Sequence, residues 1–241
     1  LEDPRFREEH AAESLWRPYD FIFDVGPGVY FLEPYDARKI PVLFVHGING
    51  TPSNFRYLVE HLDRTKYQPW LYYYPSGVRL ASLADHLDQT MKTLQLQHGV
   101  TQYYVIAHSM GGLVSRGFLL RNQLGGSRAR VPLYITISTP WAGHKAAQAG
   151  VDYAPAVVYV WNDMVPRSAY LTDLFFTNSD GEPVHRRLPD GVQHHLLFGF
   201  KHRGNGIGES SDGTVTLASQ LYSGAQEDAR RLYGFDETHM S

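Results

Sequence analysis

At 241 residues, with 43% hydrophobic and 20% charged residues, the chain has the composition of a globular protein with one sizeable core, which excludes a disordered or fibrous class. A formal net charge of -3 gives no electrostatic footprint for nucleic acid, and the absence of cysteine excludes disulfides and thiolate metal sites. No apolar run reaches the roughly 18 residues of a membrane span.

Residues 1–20 are polar and without clear period apart from Phe6 and Trp16, and residues 1–27 are expected to form a peripheral N-terminal arm. GVYFLEPYD, residues 28–36, reads as a strand ending in a Pro-containing turn. In IPVLFVHGING, residues 40–50, the continuous run Val42 to Val45 suits a central parallel strand buried on both faces, and it ends in His46, Gly47, Ile48, Asn49 and Gly50. TPSNFRYLVEHL follows with a cap-like Thr51 or Ser53 and with Phe55, Leu58, Val59 and Leu62 at helical spacing. YQPWLYYYPSG, residues 67–77, is a short aromatic strand. LASLADHLDQTMKTLQLQHG is an amphipathic helix that Gly99 stops.

QYYVIAHSMGGLVSRGFLL, residues 102–120, runs from an apolar strand into a serine among small residues and then a helix. Ala107 and Gly111 flank Ser109 in the G-x-S-x-G pattern of a nucleophile elbow, with alanine small enough for the first position. PLYITIS, residues 132–138, is again an apolar strand. Strand and helix thus alternate three times, predicting an α/β fold with a mostly parallel central sheet and helices on both faces.

Residues 139–192 break the rhythm with Trp141, Tyr153, Val157, Val158 and Trp161 among helical fragments, and are expected to form a short cap or lid insertion, with ordinary surface helices as the alternative. HHLLFGF, residues 194–200, resumes the sheet; a Gly-rich loop, HRGNGIGESSDGT, leads to a segment through Leu217 and Leu221; ARRLYGF, residues 229–235, is a last strand. Residues 1–241 read as one domain carrying the arm and the insertion.

Ligands of open parallel sheets bind at the carboxyl ends of the strands, where four groups arrive: the loop from His46 to Gly50, Ser109, the loop with Asp212, and His239. A serine hydroxyl needs a base to take its proton and donors for the oxyanion. His239 follows the last strand and is the candidate base, and Asp212 the candidate acid, with Asp180, Asp190, Glu209 and Asp236 as rivals. The order of serine, acid and histidine is that of the α/β-hydrolases. The backbone N–H groups of Ile48 and Met110 are the candidate oxyanion donors. His46 is expected to brace the oxyanion loop, His108 to point away from the elbow, and His194 and His195 to be structural strand residues. His46, Trp141, Tyr153 and Trp161 are the candidate substrate pocket.

The segments FVHGINGTP, AHSMGGLVSR, ISTPWAGH and SDGTV, followed by a terminal histidine, resemble the lipase and esterase branch of the α/β-hydrolases, bacterial triacylglycerol lipases and lipid-anchor deacylases among them. The resemblance implies ester hydrolysis through an acyl-enzyme, with Ser109, Asp212 and His239 as nucleophile, acid and base, Ile48 and Met110 as oxyanion donors, and no cofactor or metal. It implies an acyl ester, lipids included, as substrate, with peripheral membrane contact, and the net charge already argues against a nucleic-acid partner. A thioesterase or acyltransferase would use the same residues, and a binding module on the same fold would need none of them. A lid shorter than lipases usually carry leaves soluble esters open. The chain stops two residues after His239, where the family continues into a helix, so truncation or a weakly braced base is expected. Its start at Leu1 rather than Met leaves room for a removed targeting segment, and a cell-envelope or secreted compartment is expected over a cytoplasmic one.

Overall fold

The computed structural model of the chain describes residues 1–124, 129–154, 156–201 and 210–240. The N-terminal segment is helical and is not peripheral. After a 3-10 turn at Pro4–Phe6 come α1 (Glu8–Trp16) and α2 (Pro18–Asp24), which bury Phe6, Leu15 and Phe21. Pro18 supplies no N–H and stands at the first position of α2, so it divides one helical stretch into two short ones and erases the period that a sequence reading needs.

The strand β1 (Gly28–Phe31) leads to β2 (Ile40–Val45), a capped 3-10 turn at Pro52–Phe55, α3 (Arg56–Glu60) and β3 (Tyr67–Tyr73). Then follow α4 (Leu80–His98), β4 (Tyr104–His108), α5 (Met110–Leu124) and β5 (Leu133–Ile137). Gly99 ends α4 with φ 64°, in the left-handed region, as its position after the last apolar repeat predicts. The insertion consists of α6 (Lys145–Tyr153), α7 (Tyr159–Met164), α8 (Ala169–Phe175) and an unexpected hairpin of β6 (Phe176–Ser179) and β7 (Glu182–His185). The chain closes through β8 (Gln193–Phe200), α9 (Leu217–Gln220), α10 (Ser223–Asp228) and β9 (Ala229–Asp236).

Seven strands form one sheet in the order β1-β3-β2-β4-β5-β8-β9, parallel throughout except for β1, which pairs antiparallel with β3. Successive residues of a strand point to opposite faces, and both faces here are covered. Leu43 and Val45 of β2 and Trp70 and Tyr72 of β3 join the core beneath α4 and α5. Val42 and Phe44, with Leu71 and Tyr73, join the other core with Phe6, Phe21, Phe55 and Val59. That two-sided burial is why β2 reads as an uninterrupted apolar run.

One charged side chain ties the insertion to the body. Arg116 of α5 is fully buried; it donates to the carbonyls of Leu174 and Arg186 at 2.9 and 2.8 Å and to Asp228 Oδ2 at 2.6 Å, and its guanidinium lies 4.2 Å from the centre of the Phe175 ring. Burial without such partners would be prohibitive for a guanidinium.

Candidate active site

The elbow exists because backbones cross at contact distance around Ser109. Ser109 joins β4 to α5 with φ 52°, a conformation that side chains rarely adopt, and its N–H is held by the Ile137 carbonyl at 2.8 Å. A Cβ on Gly111 would stand 2.2 Å from the Val45 carbonyl oxygen, and one on Gly112 would stand 2.1 Å from Thr139 Oγ1. Both positions therefore require glycine, while the buried Ala107 on β4 keeps its methyl.

The loop after β2 passes as close. A Cβ on Gly47 would lie 2.9 Å from the Ser109 Cβ. Asn49 has φ 53° and donates its N–H to Ser76 Oγ at 3.0 Å, and the Gly50 N–H goes to the Gly47 carbonyl at 3.2 Å. Among the described residues no acceptor faces the Ile48 N–H, and Ile48 lines the cavity over Ser109. Met110 opens α5, where helices leave their first N–H groups without intrahelical partners. His46 braces the loop: its Nδ1–H donates to the Gly47 carbonyl at 2.8 Å, its ring stacks on Tyr74 at 4.1 Å, and its carbonyl accepts the Tyr74 hydroxyl. Full burial pushes the His46 ring down to about 4, so it is neutral.

Asp212 and His239 meet at the ends of β8 and β9. His239 Nδ1 lies 2.7 Å from Asp212 Oδ2, and the His239 backbone N–H donates to the Asp212 carbonyl at 3.0 Å. Asp212 Oδ1 accepts the N–H groups of Thr214 and Val215 at 2.9 and 2.7 Å. Burial alone would raise the Asp212 carboxyl, but the His239 ring and the two amides outweigh it and hold the group below the usual carboxylate range. An ionised carboxylate only accepts, so His239 carries its proton on Nδ1 and presents a lone pair on Nε2. Ser109 and His239 line the same cavity; among the described residues no hydrogen bond joins them, an arrangement that tightens with substrate in many enzymes. Of the rival acids, Asp180 occupies the exposed hairpin turn with φ 54°, Asp190 an exposed turn and Asp236 the end of β9, while Glu209 and the Gly-rich stretch around it lie outside the described residues.

His108 differs from its expected role. Its ring turns toward the site, where Nε2–H donates to the His239 carbonyl at 2.8 Å and the two rings lie 4.7 Å apart. Burial, with the nearby His239, brings it down to about 4, so it is a neutral brace under the candidate base.

The cavity over Ser109 has a volume of about 460 Å³, within the range of small-molecule sites, and its walls include Ile48, His144, Ala147, Trp161 and Met164. Of the expected pocket residues, Trp161 lines it and three do not. His46 is spent on the loop beneath. Trp141 is buried against Phe175 and His194 in the core. Tyr153, at the end of α6, is 85% exposed to solvent. Sequence reasoning missed His144, which caps α6 by accepting the Ala146 N–H on Nδ1 and donates from Nε2 to the Thr214 carbonyl at 2.8 Å, joining the insertion to the Asp212 loop. Its place at the end of ISTPWAGH, just ahead of a helix, was the available signal.

A family model described as the alpha/beta hydrolase fold matches residues 40–202. Among solved structures, the mature lipase BlEst2 of Bacillus licheniformis is similar over 88% of this chain and 91% of its own, at 18% identity and a TM-score of 0.65. A protein of Listeria innocua is similar over 84% and 87% of the two chains, at 15% identity and a TM-score of 0.59. The thioesterase domain NocB of a nocardicin cluster is similar over 88% and 90%, at 15% identity and a TM-score of 0.51. At such identities the likeness is one of fold. No curated protein matches the sequence.

Proposed function

The chain belongs to the α/β-hydrolase family, and from that premise we propose that it is a serine hydrolase that cleaves carboxylic esters through an acyl-enzyme. The observation that carries the reading is the Asp212–His239 pair, with His239 and Ser109 in the walls of one cavity and beside them the Ile48 N–H, which faces no acceptor among the described residues.

In the proposed reaction, Ser109 Oγ attacks the ester carbonyl carbon while His239 Nε2 takes the hydroxyl proton. The negative charge that develops on the carbonyl oxygen is met by the N–H groups of Ile48 and Met110. When the tetrahedral intermediate collapses, the bond to the alcohol oxygen breaks and His239 returns its proton to that oxygen. Water then attacks the acyl carbon while His239 takes one of its protons, and as the second intermediate collapses the bond from the acyl carbon to Ser109 Oγ breaks, His239 returns that proton to Oγ, and a carboxylic acid leaves. Asp212 stays ionised throughout and stabilises the imidazolium form of His239.

Ile48, Ala147, Trp161 and Met164 make much of the cavity wall apolar, which supports an ester with an aliphatic acyl group. The fold shared with a lipase agrees with that choice. Rates for p-nitrophenyl esters of increasing acyl length test it: the expected optimum lies beyond acetyl, and a rate that falls steadily from acetyl onward would exclude lipid-like acyl chains.

A further inference from the structure

The N-terminal helix reaches the oxyanion loop through a chain of three hydrogen bonds. Asn49 N–H donates to Ser76 Oγ at 3.0 Å, Ser76 Oγ lies 3.0 Å from Ser14 Oγ, and Ser14 Oγ donates to the Ala11 carbonyl at 2.7 Å. The direction of every proton follows. A carbonyl can only accept and an N–H can only donate, so Ser14 spends its hydrogen on Ala11 and Ser76 must donate to Ser14. Both hydroxyls are fully buried, so water cannot replace either.

The same turn joins two other parts of the molecule. Gly77 donates its N–H to the Ser14 carbonyl at 3.0 Å, and a Cβ at Gly77 would stand 2.0 Å from the Leu15 carbonyl oxygen. The Gly77 carbonyl in turn accepts the Val160 N–H of α7 at 3.2 Å. Asp163 of α7 accepts the Leu80 N–H at 2.8 Å and pairs with Arg79 at 2.9 Å, and Trp16 meets Trp161 edge to face at 5.5 Å. The turn at residues 75–79 thus fastens α1, the insertion over the cavity and the oxyanion loop to one another.

We infer that α1 is part of the support of the oxyanion site, with Ser14 and Ser76 as positioning residues that act on Ile48 through Asn49. The inference rests on the serine-hydrolase reading above. By occupying the Asn49 N–H, Ser76 holds that residue at its left-handed φ of 53°, next to the Ile48 N–H, which faces no acceptor among the described residues. A loop released from Ser76 would have its neighbouring amides compete for the substrate oxygen from displaced positions, which weakens the transition state more than the bound substrate.

The test uses the isosteric pair Ser14→Thr and Ser14→Val, which share any steric cost and differ in the hydroxyl, together with Ser76→Ala. On p-nitrophenyl butyrate, Ser76→Ala and Ser14→Val are expected to lower kcat about tenfold with KM changed by less than about twofold, and an alkylboronic acid should inhibit them correspondingly less well. Ser14→Thr should keep the kcat of the native chain. Equal kcat for Ser14→Thr and Ser14→Val, or a change confined to KM, overturns the inference. If the native chain shows neither ester turnover nor fluorophosphonate labelling, the serine-hydrolase reading falls instead, and hydrogen exchange at the Asn49 amide then decides the relay. Protection lost in Ser14→Val and Ser76→Ala but kept in Ser14→Thr supports it, and unchanged protection overturns it.

Discussion

Asp212 holds His239 twice, through the ring at 2.7 Å and through the main chain at 3.0 Å, and His108 holds the His239 carbonyl from the other side at 2.8 Å. The weak bracing expected of a histidine so near the last residue is therefore not what the structure contains. Ring, amide and carbonyl of His239 each have a buried or half-buried partner.

This double anchoring predicts that Asp212→Asn folds but loses activity. The amide oxygen can still accept from Thr214 and Val215, while its nitrogen cannot accept from the ring, so His239 turns its lone pair away from Ser109. A fall in kcat of about 10³- to 10⁴-fold is expected. A loss smaller than tenfold, measured on a variant with a native melting temperature, would remove Asp212 from the proposed role.

Gly47→Ala probes the crossing of the two loops. Its methyl would sit 2.9 Å from the Ser109 Cβ, so the oxyanion loop must retreat from the serine. Ester hydrolysis is expected to fall by about 10²-fold or more, because displacements of this kind act on the transition state. Steady-state kinetics on the purified variant, beside its melting curve, checks this; native kcat would show that the loop is not in the reaction.

Much of this was legible in the sequence, and the reasons are local. β2 was readable because burial on both faces demands an unbroken apolar run, and the elbow because small residues, Ala107 and Gly111, stand at fixed spacing around Ser109, where a Cβ on Gly111 would meet the Val45 backbone. That Asp212 and His239 come together was readable from chain order, since each follows a strand of the parallel sheet. What sequence did not disclose depends on which way a side chain turns. Trp141 looks like pocket lining and lies in the core, whereas His108 looks like a strand residue and braces His239. Arg116 stands in the apolar stretch LVSRGFLL, and its partners come from three distant segments, so no local pattern announces them.

Arg116 supplies a prediction about stability. Arg116→Ala would leave Asp228 buried beside unsatisfied carbonyls of Leu174 and Arg186, and should cost about 3–5 kcal/mol in urea unfolding. Arg116→Lys should recover only part of this, because an ammonium cannot reproduce the guanidinium's planar fork. A variant within 1 kcal/mol of the native chain, as an order of magnitude, would contradict the assigned role.

Acid sensitivity follows from the neutral histidines. Burial, the leading cause for each, brings His46 and His108 to about 4 and His194 to about 3, against an ordinary 6.5. Below 6.5 the unfolded chain binds protons that the folded chain refuses, so stability is level above that pH and falls as pH drops toward 4. At about 1.4 kcal/mol per pH unit, each ring costs about 3 kcal/mol by about pH 4. Asp212, lowered in the folded state, adds its loss only below its ordinary 3.8. Thermal melts across this range should show a steep decline through the acid window, and a melting temperature unchanged between about pH 6.5 and 4.5 would contradict it.

Ser109 is the proposed nucleophile, and every step of the proposed reaction passes through its hydroxyl. Exposure of the native chain and Ser109→Ala to a fluorophosphonate probe, followed by peptide mass mapping and a p-nitrophenyl butyrate assay on the same samples, tests it directly. The native chain should carry a single adduct on Ser109 and hydrolyse the ester, and Ser109→Ala should do neither. Labelling at another serine, or hydrolysis that survives in Ser109→Ala, would contradict the account.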